Sequence, residues 1–142
     1  MRLAMPAPPE MLPWLAQRAN LTMSPTLQAI AAVDDDGQIA GMVGFDGWTM
    51  NACAMHVAIE KPIAVRTLLR PAFELPFVRL GLGVVVGTVL SSNERALALD
   101  LHLGFREVMR GRDWWAPGVD LVWLEMRREE CRWLCESERK AA

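Results

Sequence analysis

The stretch Val84–Phe105, VVVGTVLSSNERALALDLHLGF, decides the fold. Its first seven residues form an apolar run dominated by β-branched side chains, a pattern that suits a strand buried on both faces. Ser92 or Asn93 then offers a side-chain oxygen to the open N–H groups of a helix start. Ala96, Leu97, Leu99 and Leu103 follow at helical spacing on an inward face. Gly104 supplies the stop, because glycine accepts the positive φ of a helix C-terminus. A strand, a short turn and a helix are therefore written consecutively.

Upstream, Ala52–Ile59 reads as a strand, followed by Glu60-Lys61-Pro62. Val65, Leu68, Leu69, Ala72, Phe73, Phe77 and Leu80 then recur at three- and four-residue spacing, which predicts a helix. Pro71 and Pro76 interrupt that pattern, so a kink or an early end is expected near Leu75. The resulting strand–helix–strand unit implies a parallel pair in the middle of a sheet. Further upstream, Leu27–Val33 and Ile39–Phe45 flank Asp34-Asp35-Asp36-Gly37-Gln38, a strong hairpin signal. The three aspartates read as a solvated turn, since nothing nearby completes an oxygen cage for a metal.

The remaining segments carry weaker signals. Phe105–Met109 and Val119–Met126 read as the last strands, joined by an irregular segment, Arg110–Gly118, and Glu10–Ala19 as a short helix weakened by Pro13. Met1–Pro9 reads as a loosely packed arm and Arg127–Arg139 as a solvated end or short helix. The expectation is one α/β domain over residues 1–142, with residues 127–142 as a C-terminal extension. Its sheet should be mixed and mostly antiparallel, with flanking helices.

Composition narrows the function classes. The chain is 52% hydrophobic, enough for a core, and its net charge of −2 comes from well-mixed charges. No basic stripe marks a nucleic-acid partner. The longest apolar run, Leu80–Leu90, is broken by glycines and falls short of the ~20 residues of a membrane span. No signal-peptide pattern opens the chain, and Cys53, Cys131 and Cys135 form no ligand cluster or disulfide framework, so a reduced cytoplasmic setting is expected.

Asn93-Glu94-Arg95-Ala96 followed by Leu103-Gly104-Phe105 resembles the Asn-x-x-Ala…Leu-Gly-Phe signature of the GNAT superfamily of N-acetyltransferases. Gly37-Gln38-Ile39-Ala40-Gly41 is similar to the family's step between its second and third strands. Leu75-Pro76-Phe77 and Arg127–Leu134 resemble a phage and prophage branch. The resemblance implies that Ala52–Ile59 and Val84–Leu90 splay apart to admit acetyl-CoA as co-substrate. Backbone groups of Val57, Ala58 and Ile59 would hold the pantetheine arm, and an N–H there would polarise the thioester carbonyl. The pyrophosphate would lie at the helix start formed by Ala64, Val65, Arg66 and Thr67. Asn93, with Ala96 and Phe105, would flank the cofactor's far side. The implied reaction acetylates a primary amine, with an unidentified amine acceptor, and a homodimer is common among such domains.

Three departures qualify that picture. Ile63 and Val65 occupy the positions where the family's phosphate loop has glycines, and Pro62 removes a donor. Lys61, Arg66 and Arg70 either compensate by charge or are solvated residues beside an ordinary helix. The chain has no Tyr, and Asp100 holds the place of the family's usual thiolate-protonating Tyr; an exposed Asp there would be ionised at neutral pH. Glu60 is the candidate general base, acting through a water, with His56 on the same strand face and His102 facing outward. Trp48, Trp114 and Trp115 line an acceptor pocket or a dimer face, or belong to the core. Two readings follow: an acetyl-CoA-dependent N-acetyltransferase, or a GNAT-fold domain that has lost catalysis and serves binding or assembly.

Overall fold

The Asp34–Gln38 turn closes by its own side chain, with Asp34 Oδ1 accepting from the N–H groups of Asp36 and Gln38 at 3.0 and 2.9 Å. Gly37 takes a φ of 77°. The computed structural model, which describes residues 1–140, extends this hairpin, β2 (Gln28–Val33) and β3 (Ile39–Asp46), into a seven-stranded sheet. The others are β1 (Arg2–Ala4), β4 (Ala52–Ile59), β5 (Val84–Leu90), β6 (Arg106–Ala116) and β7 (Val119–Arg127). Their order is β1-β2-β3-β4-β5-β7-β6, and among the described residues only β4 and β5 run parallel.

Strand alternation divides the core between two faces. On one face α1 (Leu12–Ala19) buries Leu15 against Ala31, Met42 and Ala58. On the other, α2 (Ala64–Glu74) and α3 (Glu94–Leu103) cover Val43, Phe45, Met55, Val85 and Leu124. Two glycines of β3 set how closely the helices approach. A Cβ on Gly41 would meet Ala64 Cβ at 3.0 Å, and one on Gly44 would meet Leu15 Cδ2 at 2.4 Å. Glycine at both positions lets the α2 start and α1 press onto opposite faces of one strand.

Several local expectations hold. Asn93 caps α3, its Oδ1 accepting from the Ala96 N–H at 3.2 Å, and Gly104 ends the helix with φ 112°. Regular α2 ends at Glu74 and widens into a π turn over Leu75–Arg79, where Leu80 N–H donates to Leu75 O at 3.0 Å.

Others are corrected. The Met1–Pro9 arm is anchored: β1 pairs antiparallel with β2, Ala7 N–H donates to Ala29 O at 2.7 Å, and Ala4 and Ala7 are buried. A three-residue strand is too short to show a period. Pro13 lies in the first turn of α1, where its missing N–H costs nothing. Val84–Leu90 is buried chiefly at Val85 and Val89, not on both faces, because its neighbour β4 departs from it. Arg110–Gly118 is not irregular throughout: β6 runs to Ala116 and shifts register against β7 between Gly111 and Ala116. An exposed edge strand has no buried face to impose alternation. The C-terminal segment is docked rather than solvated, with Cys131 and Leu134 buried and Trp133 Nε1 donating to Leu103 O at 2.8 Å; α4 (Glu136–Lys140) follows.

Candidate functional site

β4 and β5 pair at only three positions, Ala52↔Val84, Cys53↔Val85 and Ala54↔Val86. Beyond them β4 stays with β3 to Ile59, and β5 stays with β7 to Leu90. The two strands therefore diverge from an apex near Met55 and Gly87. A Cβ on Gly87 would lie 3.6 Å from Met55 O, in ordinary contact. Glu60 N–H donates to Ala40 O at 3.0 Å. Counting back in twos, Ala58 and His56 also turn their backbone groups toward β3. Val57 and Ile59 direct theirs into the gap, where no strand answers them.

The gap opens into a cleft of about 730 Å³. Among the candidate site residues, Val57, Ala58, Ile59, Glu60, Val65, Asn93, Ala96 and Phe105 line it; Ala64, Arg66 and Thr67 do not. Ala64 is fully buried beneath Gly41, and Arg66 is exposed. The α2 start is internally satisfied. Ala64, Val65 and Arg66 donate to Lys61 O, Pro62 O and Ile63 O at 2.9, 3.1 and 3.3 Å. No side chain caps this helix, whose N-cap position is Ile63.

Two of the three cations considered as compensation for the missing glycines are committed elsewhere. Lys61 Nζ lies 2.5 Å from Asp34 Oδ2, which holds the Asp34 carboxyl below its usual range. Arg70 donates to Trp133 O and to both carboxylate oxygens of Glu138, and pairs with Glu74. Arg66 remains, beside a cation that sequence reasoning had not singled out, Arg95, which lines the cleft.

The titratable groups divide between the two faces. On the α1 face, Glu60 Oε2 accepts from Arg18 Nε at 3.2 Å, and the Arg18 guanidinium lies 4.0 Å from the centre of the Trp14 ring. On the same face His56 Nε2 lies 2.7 Å from Asp46 Oδ1, with side-chain exposures of 22% and 18%. Asp46 was not identified from sequence, because the contact is a diagonal pair across β3 and β4 that only their register creates. On the α3 face Asp100 lines the cleft, half-buried, and burial pushes its carboxyl up to about 6. The exposed position expected for Asp100 is thereby corrected: it faces the cleft and not open solvent. His102 is exposed, as expected.

The tryptophans separate as well. Trp115 lines the cleft, whereas Trp48 donates Nε1 to Thr26 O at 2.9 Å and packs at the core edge beside Phe45. Trp114 covers Gly111, where a Cβ would meet its ring at 2.2 Å, yet remains 62% exposed. Among the described residues no helix is long and apolar enough to cross a membrane.

No protein-family model and no curated protein matches the sequence. Solved structures do. The spermidine N-acetyltransferase of Vibrio cholerae in complex with CoA and spermine superposes with a TM-score of 0.72 at 14% identity, over 91% of this chain and 96% of that one. Spermidine/spermine N-acetyltransferase SpeG of Vibrio cholerae with manganese ions gives 0.70 at 15%, over 89% and 91%. A dodecameric form of the Vibrio cholerae enzyme in an intermediate state gives 0.62 at 17%, over 83% and 73%. At such identities the likeness concerns the fold. Among the described residues, the seven-stranded, mostly antiparallel sheet parted at a parallel pair, with helices on both faces, is a GNAT-like fold.

Proposed function

We propose that this chain is an acetyl-CoA-dependent N-acetyltransferase acting on a primary amine. The observation that carries the reading is the parting of β4 from β5 beside a cleft of about 730 Å³. Backbone N–H and C=O groups away from water are nearly always paired, so Val57 and Ile59 present a strand edge to whatever fills the gap. An extended arm bearing amides answers it as an added strand, with Ala58 as spacer. Acetyl-CoA has such an arm, and the Vibrio cholerae relative holds CoA.

The remaining roles follow from position. The α2 start, Ala64–Thr67, faces the phosphates with its dipole; the side chains of Arg66 and Arg95 supply what its occupied N–H groups do not. Asn93 holds the start of α3, and Ala96 and Phe105 form wall there. The amine nitrogen attacks the thioester carbon, an N–H of β4 stabilises the oxyanion, and the C–S bond breaks. The amine's proton passes to a base on the α1 face, for which Glu60 is the first candidate. Asp100, on the opposite face, gives a proton to the departing thiolate. Homodimerisation is part of this reading, and the exposed Val108, Met109 and Trp114 of β6 are the apolar surface available for it.

The second reading, a non-catalytic binding or assembly module, is favoured by the α2 start, whose N–H groups are bonded within the first turn. Calorimetric titration with acetyl-CoA and with CoA separates the two. Saturable micromolar binding is expected; no binding up to millimolar cofactor overturns the acetyltransferase reading.

A further inference from the structure

We propose that His56, held by Asp46, is the general base that deprotonates the acceptor amine, in place of Glu60. This rests on the acetyltransferase reading and deepens it. With the phosphates at the α2 start, the cofactor enters at the wide mouth of the cleft. Its arm then runs back along β4, so the reactive carbon lies toward the apex. Glu60 stands at the mouth. His56 stands four residues deeper, which is about 13 Å along a strand. It is one residue from Met55, whose carbonyl marks the apex.

Charge and hydrogen bonding point the same way. The Glu60 carboxylate is neutralised by Arg18 at 3.2 Å and is 54% exposed, a poor setting for a base. The His56 ring is bonded at Nε2 by the Asp46 carboxylate at 2.7 Å. That bond fixes the tautomer with hydrogen on Nε2 and leaves Nδ1 as the accepting nitrogen. Asp46 acts through this contact on the ring and not on the amine, so it is a positioning residue. His56 pairs with Asp46 on β3, whereas Arg18 and Glu60 pair with each other at the mouth; β5 presents Gly87, Thr88 and Val89, which carry no charge.

The faces assign the two proton transfers to opposite sides. His56 projects to the α1 face, away from α3, and Asp100 lies on the α3 face. The acceptor ammonium therefore surrenders its proton on one side of the sheet while the leaving thiolate gains one on the other. In balance, the ammonium loses one proton to Nδ1, the free amine forms the C–N bond, and nitrogen sheds a second proton to solvent as the amide forms. Sulfur leaves with the electron pair of the C–S bond and is protonated by Asp100.

The test uses the whole chain, acetyl-CoA and two acceptor probes, n-propylamine and hydroxylamine. The first is an ammonium at neutral pH and must be deprotonated; the second is already uncharged. His56→Gln keeps a hydrogen-bonding group opposite Asp46. It should lower propylamine transfer about 100-fold or more, within the range of lost acid–base catalysis, while hydroxylamine transfer changes only a few-fold. Asp46→Asn, which weakens the hold on the ring, should likewise slow propylamine transfer more than hydroxylamine transfer. Equal losses with both probes, or no loss with either, would overturn the assignment and leave His56 a packing residue. A chain that binds CoA but acetylates neither probe also overturns it. CoA titration of the unaltered chain is scored separately: absence of binding there fails the acetyltransferase reading itself.

Discussion

The starts of α2 and α3 face the same cleft and are built in opposite ways. At α3 a side chain does the work: Asn93 accepts from Ala96 N–H, and Gly104 closes the far end. At α2 no side chain caps anything. Pro62 and Ile63 lead in, three N–H groups bond within the first turn, and Ala64 is pinned beneath Gly41. One helix is specified by local chemistry and the other by what it is pressed against. A helix start can therefore hold the position of an anion site while its donors are occupied.

The strongest way to break this comparison is Gly41→Val. The added carbons meet Ala64, Ile59 and Leu68 at about 3 Å, and overpacking of this kind costs about 1–3 kcal/mol. A clear fall in the denaturation midpoint is expected, and an unchanged midpoint would mean that α2 is not held by its burial.

The next effect separates the cleft faces by pH. Burial pushes the Asp100 carboxyl up to about 6 in the fold, against 3.8 for a free Asp. The folded state then binds more protons than the unfolded state between those values. This contribution is favourable to the fold at low pH, declines as pH rises toward 6, and is flat above. Asp100→Asn should remove the decline, as read by denaturant melts across pH; an identical pH profile would show that Asp100 is solvated. The smallest effect contrasts the two helix starts directly. Asn93→Ala should cost about 1 kcal/mol, the typical worth of a cap. Ile63→Ala, at an exposed position without a cap, should stay within about 0.5 kcal/mol. Equal costs measured by chemical denaturation would erase the distinction.

The same contrast explains what the sequence could reveal. The β5–α3 unit and the β2–β3 hairpin were legible because Asn93, Gly104 and Gly37 act within a few residues of themselves. β1 was hidden because three residues show no period, and the full length of β6 because an exposed edge imposes none. The candidate site was half legible. The family resemblance pointed to Val57–Ile59 and to Asn93, Ala96 and Phe105, all of which line the cleft, whereas the His56–Asp46 pair depends on the β3–β4 register. The burial of Asp100 depends on how far α3 leans over the cleft. The commitment of Lys61 and Arg70 to Asp34 and Glu138 needed partners 27 and 68 residues away.

The three residue pairs that join β4 to β5 have a mechanical consequence. Four strands are laced together on one side of this seam and three on the other, so the sheet is two panels stitched at a single edge. An occupant lying in the seam would bridge both panels along their length. Amide protons on β4 and on β5 should then exchange more slowly together when the seam is filled, although few hydrogen bonds cross it in the empty protein.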